Sequence, residues 1–182
     1  MRHCAILAGF LLFLTLTNAS GQRKRDPLTP PEIDQLRDTA LEPDHRLRLL
    51  VEFTRARLTT LEQVHVDPKI KNRGQEIHDR LQDFLDVYDE LDNNIDMFAD
   101  RKDDVRKPLK VIIEADTEFQ AKIRALKDPF APEYKSYQFL LQSAIETLDS
   151  SARDHIQLLS EQDEAAIHKK KEKNARPQPP DR

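Results

Sequence analysis

Between Gly74 and Phe98 the apolar residues Ile77, Leu81, Phe84, Tyr88, Leu91, Ile95 and Phe98 follow one another at alternating steps of four and three. That rhythm keeps a single stripe on one side of an α-helix, so the spacing predicts a helix over 74–98 with an unbroken apolar seam. Beside the seam runs a stripe of acids: Asp79, Asp83, Asp86, Glu90 and then Asp100. One face seeks helical partners, and its edge repels negative charge.

The same reasoning predicts four more helices. Thr29-Pro30-Pro31-Glu32 opens a short one. Thr29 offers a cap, Pro30 lacks an N–H where none is needed, and Glu32 completes a capping box. Ile33, Leu36 and Ala40 mark its buried side, and it ends near Leu41, before Pro43. A second helix spans about Asp44 to Val64 on Leu47, Val51, Thr54, Leu58 and Leu61, broadened by Leu50 and Phe53. Asp67-Pro68 closes it, because a residue before proline avoids the α region. After the helix over 74–98, another begins near Asp104 with Pro108 in its first turn. It turns Leu109, Ile112, Ala115, Phe119, Ile123 and Leu126 inward, and Asp128-Pro129-Phe130-Ala131-Pro132 is a turn. The last helix runs from Glu133 towards His168, with Tyr137, Leu141, Ile145, Leu148, Ala152, Ile156 and Leu159 inward.

The fold class expected is therefore all-α: an antiparallel bundle of four long helices plus a short N-terminal helix, with a disordered C-terminal tail. Helical rise gives the three middle helices about 30 to 37 Å and the last about 50 Å. Its far half, Ser150 to Ile167, is expected to outrun its neighbours and bend at Ser150-Ser151, meet the first helix, or pair with a second molecule. The domain reading is a signal peptide over 1–19, a flexible lead-in over 20–28, the bundle over 29–168 and a basic tail over 169–182.

Composition supports helix over strand. Of 182 residues 38% are apolar and 34% charged, only three are glycine, and Val, Ile and Thr never cluster as strands require. The N-terminus reads as an export signal, with Arg2, an apolar run over Ala5–Leu16 and small residues at Thr17-Asn18-Ala19. That run is shorter than the roughly 20 residues of a membrane-spanning helix. Arg23, Lys24 and Arg25 just beyond oppose translocation. An uncleaved N-terminal anchor is the alternative; the compartment expected is periplasmic or extracellular.

Cys4, the single cysteine, leaves with the leader. The mature chain then has no disulfide and no thiolate, which suits an oxidising compartment. The whole chain carries a formal charge of -4, so nucleic acid is not an expected partner. Charge is unevenly spread. From Glu76 to Asp104 eleven acids oppose Arg80, Arg101 and Lys102, whereas the tail from His168 has six bases against two acids. The basic tail suits peripheral contact with an anionic membrane or with an acidic face.

Candidate chemistry is sparse. Asp92, Asn94, Asp96, Asp100 and Asp103 fall at the oxygen-ligand spacing of a calcium loop. Met97 stands where such a loop needs glycine, Asp103 replaces the longer glutamate, and Ile95 and Phe98 belong to the seam. On a continuous helix these carboxylates splay apart. Glu62-x-x-His65 and Glu42-x-x-His45 have the spacing of bundle metal ligands, but Pro43 interrupts one and His65 sits at a helix end. No Gly-x-Ser-x-Gly, His-Glu-x-x-His or glycine-rich phosphate loop occurs. His155 is expected as a satisfied or half-exposed histidine, and Asp116 as an acid at a helix edge.

No residue pattern carries a resemblance to a known family. The function expected is an exported, non-enzymatic bundle that binds another protein or forms a homodimer through helix faces. An adaptor, chaperone-like or envelope structural role fits this, with Asp79, Asp83, Asp86, Glu90 and Asp100 as the interaction face. No cofactor is expected. The alternative is a divalent-metal-binding bundle, holding calcium or a transition metal through the 92–103 acids or the histidines.

Overall fold

The computed structural model describes residues 26–175. The signal peptide or anchor expected over 1–19, the lead-in up to residue 25 and the tail from residue 176 lie outside the described residues. Every regular element described is helical: α1 (Pro30–Asp38), α2 (Pro43–Val66), α3 (Arg73–Asp100), α4 (Arg106–Ala125), a 3-10 turn (Tyr134–Ser136) and α5 (Gln138–Ala175). None is long and apolar enough to cross a membrane.

The seams explain the packing. Ile77, Leu81, Phe84, Tyr88, Leu91, Ile95 and Phe98 of α3 are all buried, as the four-three rhythm requires. On α4 the rhythm runs through Val105, Leu109, Ile112, Asp116, Phe119, Ile123 and Leu126, again all buried. Asp116, expected at a helix edge, is thus inside the bundle at 1% exposure. On α5 the buried line is Tyr137, Leu141, Ala144, Leu148, Ser151 and His155. Ala152 and Ile156, expected inward, are off this line: Ala152 is half-buried and Ile156 is 55% exposed. The stripe keeps its four-three step through polar residues rather than shifting to the nearest apolar ones.

Ion pairs and hydrogen bonds set the register. Lys107–Asp44 (2.8 Å), Arg55–Glu118 (3.0 Å) and Lys122–Glu62 (3.0 Å) match α4 to α2 start to start and end to end, so these neighbours are parallel. Ser151 with Asp92, and Gln162 with the Asp103 carbonyl, do the same for α5 and α3. Consecutive helices alternate in direction, so α2–α3 and α4–α5 are antiparallel hairpins packed face to face. This places α3 and α4 across the diagonal, where Phe84, Tyr88 and Phe119 fill the centre. Phe119 meets Phe84 edge-on at 5.6 Å and Tyr88 at 6.2 Å. Such ring pairs add about 0.5–1.5 kcal/mol beyond the area they bury.

Boundaries differ from expectation where polar contacts intervene. α1 stops at Asp38, and Leu41 is 81% exposed. The Leu36 carbonyl accepts from the Thr39 N–H at 3.2 Å and from the Arg46 guanidinium at 2.5 Å, so this helix end is satisfied without further turns. Pro108 is the third residue of α4, where no intrahelical N–H bond is yet due. α5 continues past His168, through the start of the expected tail, to Ala175. Gly74 is the second residue of α3. A Cβ there would sit 2.9 Å from Glu133 Cβ and 2.9 Å from Ser136 Oγ, so α3 and the α4–α5 connection touch through that missing side chain. Arg73 and Glu133 pair beside it.

Candidate functional site

The densest group of chemically active side chains is a buried layer at mid-bundle. Asp116 from α4 and His155 from α5 occupy inward seam positions, and Tyr88 from α3 faces them. Asp92, next to the seam residue Leu91, and Ser151, one turn before His155, complete it. His155 Nδ1 lies 2.8 Å from Asp116 Oδ2, and His155 Nε2 lies 3.2 Å from Asp92 Oδ1. The Tyr88 hydroxyl donates to Asp116 Oδ1 at 2.9 Å, and the Ser151 hydroxyl donates to Asp92 Oδ2. Asp92 Oδ1 has no hydrogen-bond partner, so the imidazole charge is what answers it.

Protonation follows from the geometry. Both ring nitrogens face carboxylate oxygens, and only imidazolium carries an N–H at each. A neutral ring would turn a lone pair towards one carboxylate. Burial by itself lowers the His155 pKa, but the Asp116 and Asp92 carboxylates outweigh it and hold the group up at about 9. Burial pushes the Tyr88 phenol far above its usual value, and the charges of Asp92 and Asp116 push it the same way. At neutral pH the layer therefore holds one imidazolium, two carboxylates and two donating hydroxyls.

This arrangement commits both imidazole nitrogens to carboxylates. The imidazolium has no lone pair for a metal or for a substrate proton. Ser151 donates to Asp92 and not to His155, so the ring does not activate its hydroxyl. What the layer does is join α3, α4 and α5 at one level.

The calcium-spaced residues point in different directions. Asp92 belongs to the His155 layer, and Asn94 is buried, accepting from Arg46 Nε at 2.5 Å and donating to Glu90. Asp96 and Asp100 are exposed on α3, and Asp103 pairs with Arg101 at 3.2 Å in the α3–α4 turn. Four of the five ride a continuous helix, so they do not close around a common point. Among the described residues no group of three or more His, Cys, Asp and Glu is arranged to hold a metal ion.

The acidic stripe is partly engaged. Asp79 is exposed and accepts from Gln75 at 2.8 Å, and Asp83 pairs with Arg80 at 2.7 Å. Asp86 accepts from Gln82 at 3.0 Å, and Glu90 accepts from Asn94 at 2.9 Å. Asp86 and Glu90 line an open cleft of about 620 Å³ beside α1, whose other walls include Leu28, Ile33, Leu36 and Arg46. Residues 26–28, expected to be flexible, belong to this structure. Leu28 packs against the core and the Pro27 carbonyl accepts from Arg57 at 3.1 Å.

Compared with protein-family models, curated proteins and solved structures, the chain matches none. The functional reading rests on its own geometry.

Proposed function

We propose that this protein is an exported, non-enzymatic helical bundle that binds another protein, or a second copy of itself, through helix faces. The observation that carries this reading is the surplus length of α5. Gln162 is level with the α3–α4 turn, donating to the Asp103 carbonyl at 3.1 Å and accepting from the Val105 N–H at 3.0 Å. From Asp163 to Ala175 the helix continues for about 20 Å without a long helix beside it among the described residues. Ile167 is more than half exposed on this part of the chain, and so is Ile156, about two turns before Asp163 on α5. At the other end of the bundle Phe130 and Phe139 are 96% and 82% exposed. Among the described residues nothing packs over these apolar side chains, and presenting them to a partner gives them a packing role. Of the acidic stripe, Asp79 and Asp100 are exposed on α3 and give such a partner a charge to read.

The test is chemical crosslinking of the full chain in the envelope fraction, with recovery of what is attached, alongside light scattering of the purified protein. Recovery of a defined partner or a defined oligomer is the expected result. A strict monomer that captures nothing would sink the proposal.

A further inference from the structure

The projecting part of α5 has a charge order that its own bundle does not use. Glu161, Asp163 and Glu164 form an acidic block, and Lys169, Lys170, Lys171 and Lys173 form a basic one about two turns later. The helix dipole favours lysines in the last turns, but it does not call for acids immediately ahead of them. Within the chain the blocks are little employed. Asp163 reaches Arg106 at 3.4 Å, and Glu161 accepts from Gln157 at 2.8 Å. Glu164, Lys170 and Lys171 are exposed and make no ion pair among the described residues. Between the blocks lies Ile167, 54% exposed. Ser160, Glu164, Ile167, Lys171 and Asn174 step by four and three, so they share one stripe, and every one is exposed.

We propose that this stripe is a self-association surface, on which the α5 tip of a second copy lies antiparallel with Ile167 at the two-fold axis. The inference rests on the reading that helix faces carry this protein's interactions, and it names the partner and the place. A two-fold contact must be complementary to itself. Acid-then-base order meets that condition in the antiparallel arrangement, and would set like charges together in a parallel one. With Ile167 against Ile167 of the second copy, Glu164 faces Lys171 on one side of the axis and Asp163 faces Lys170 on the other, each pair formed twice. The contact is short and mostly charged, so the dimer is weak and salt-sensitive.

Sedimentation velocity of the full chain over a range of concentrations tests this, at about 50 mM and about 500 mM salt. The expected result is a dimer at low salt that dissociates at high salt. Lys170→Glu with Lys171→Glu weakens association at least tenfold, and adding Asp163→Lys with Glu164→Lys restores it. Glu164, Lys170 and Lys171 are exposed and Asp163 is half-buried with a long contact to Arg106, so the variants are expected to keep the bundle fold, checked by circular dichroism. In a Cys4→Ser background, Ile167→Cys oxidises to a covalent dimer at low salt and Ile156→Cys does not. A monomer at low salt, a double reversal that fails to restore association, or equal crosslinking at 156 and 167 each overturns the inference. If crosslinking in the envelope still recovers another protein, the wider reading of partner binding survives that failure; if it recovers nothing, both fall.

Discussion

His155 shows what one buried base does to a helical bundle. With Asp116 on one side and Asp92 on the other it is a cation in a protein interior, tolerable only because both N–H groups meet carboxylates. Removing it leaves two acids facing each other without the charge between them. His155→Leu is expected to cost about 3–5 kcal/mol in urea unfolding at neutral pH, somewhat less because Asp92 is 27% exposed. Its sign with pH follows from the direction of the shift. The folded pKa, about 9, lies above the ordinary histidine value of 6.5. The proton therefore stabilises in full below about pH 6.5, and that contribution is lost as pH rises through about 9. Urea midpoints measured from pH 6 to pH 10 should fall across that window in the native chain. The same series in His155→Leu should lose that component, and an unchanged fall there would remove His155 as its source.

Element by element, the polar clamps decide how firmly each helix is seated. α1 buries one side chain fully, Leu36, and owes much of its attachment to Glu32. That carboxylate takes the Thr29 N–H at 2.7 Å and the Arg57 guanidinium at 2.6 and 2.9 Å. Burial by itself would raise the Glu32 pKa, but Arg57 and the Thr29 N–H bring it below its usual value. Arg57→Ala should therefore loosen α1 by about 1.5–3 kcal/mol. Amide exchange would rise over 30–38 while α3 to α5 stay protected, and uniform loss of protection would contradict a local clamp. At the start of α3 the constraint is steric. Gly74→Ala forces a Cβ against Glu133 and Ser136, with an expected loss of about 1–3 kcal/mol measured by thermal unfolding. No loss would mean that the α4–α5 connection yields freely.

For the whole molecule the pairing of hairpins is the decisive event. Neither hairpin buries its seam alone, and the diagonal contact of Phe84 and Tyr88 with Phe119 is where the two meet. Phe119→Ala opens a cavity at that junction and should cost about 3–5 kcal/mol. It should lower the stability of both hairpins together, as coincident unfolding by circular dichroism and tyrosine fluorescence would report. Separate transitions would show that the hairpins fold independently. The parallel seam of α2 with α4 carries half-exposed ion pairs, each contributing about 0–1 kcal/mol. They align the hairpins more than they hold them.

Local periodicity was enough to determine the helices, their order and most of their buried faces, because a four-three step constrains which side of a helix is inward whatever lies opposite. The strict step also passes through Asp116, Ser151 and His155, so the site was legible in principle. It was obscured by Ala115, Ala152 and Ile156, apolar neighbours that looked like better core residues. Polarity at a seam position has no meaning until its partner is known, and here the partners of His155 lie on α4 and α3, distant in the chain. Asp92 carried no seam signal at all; only the parallel placing of α3 beside α5 brings it to the ring. The helix pairing was likewise beyond reach of periodicity, since each apolar stripe fits any other. Tertiary structure chose α2 beside α4 and α3 beside α5, and in doing so made a buried ion cluster from residues that separately looked like a solvated edge.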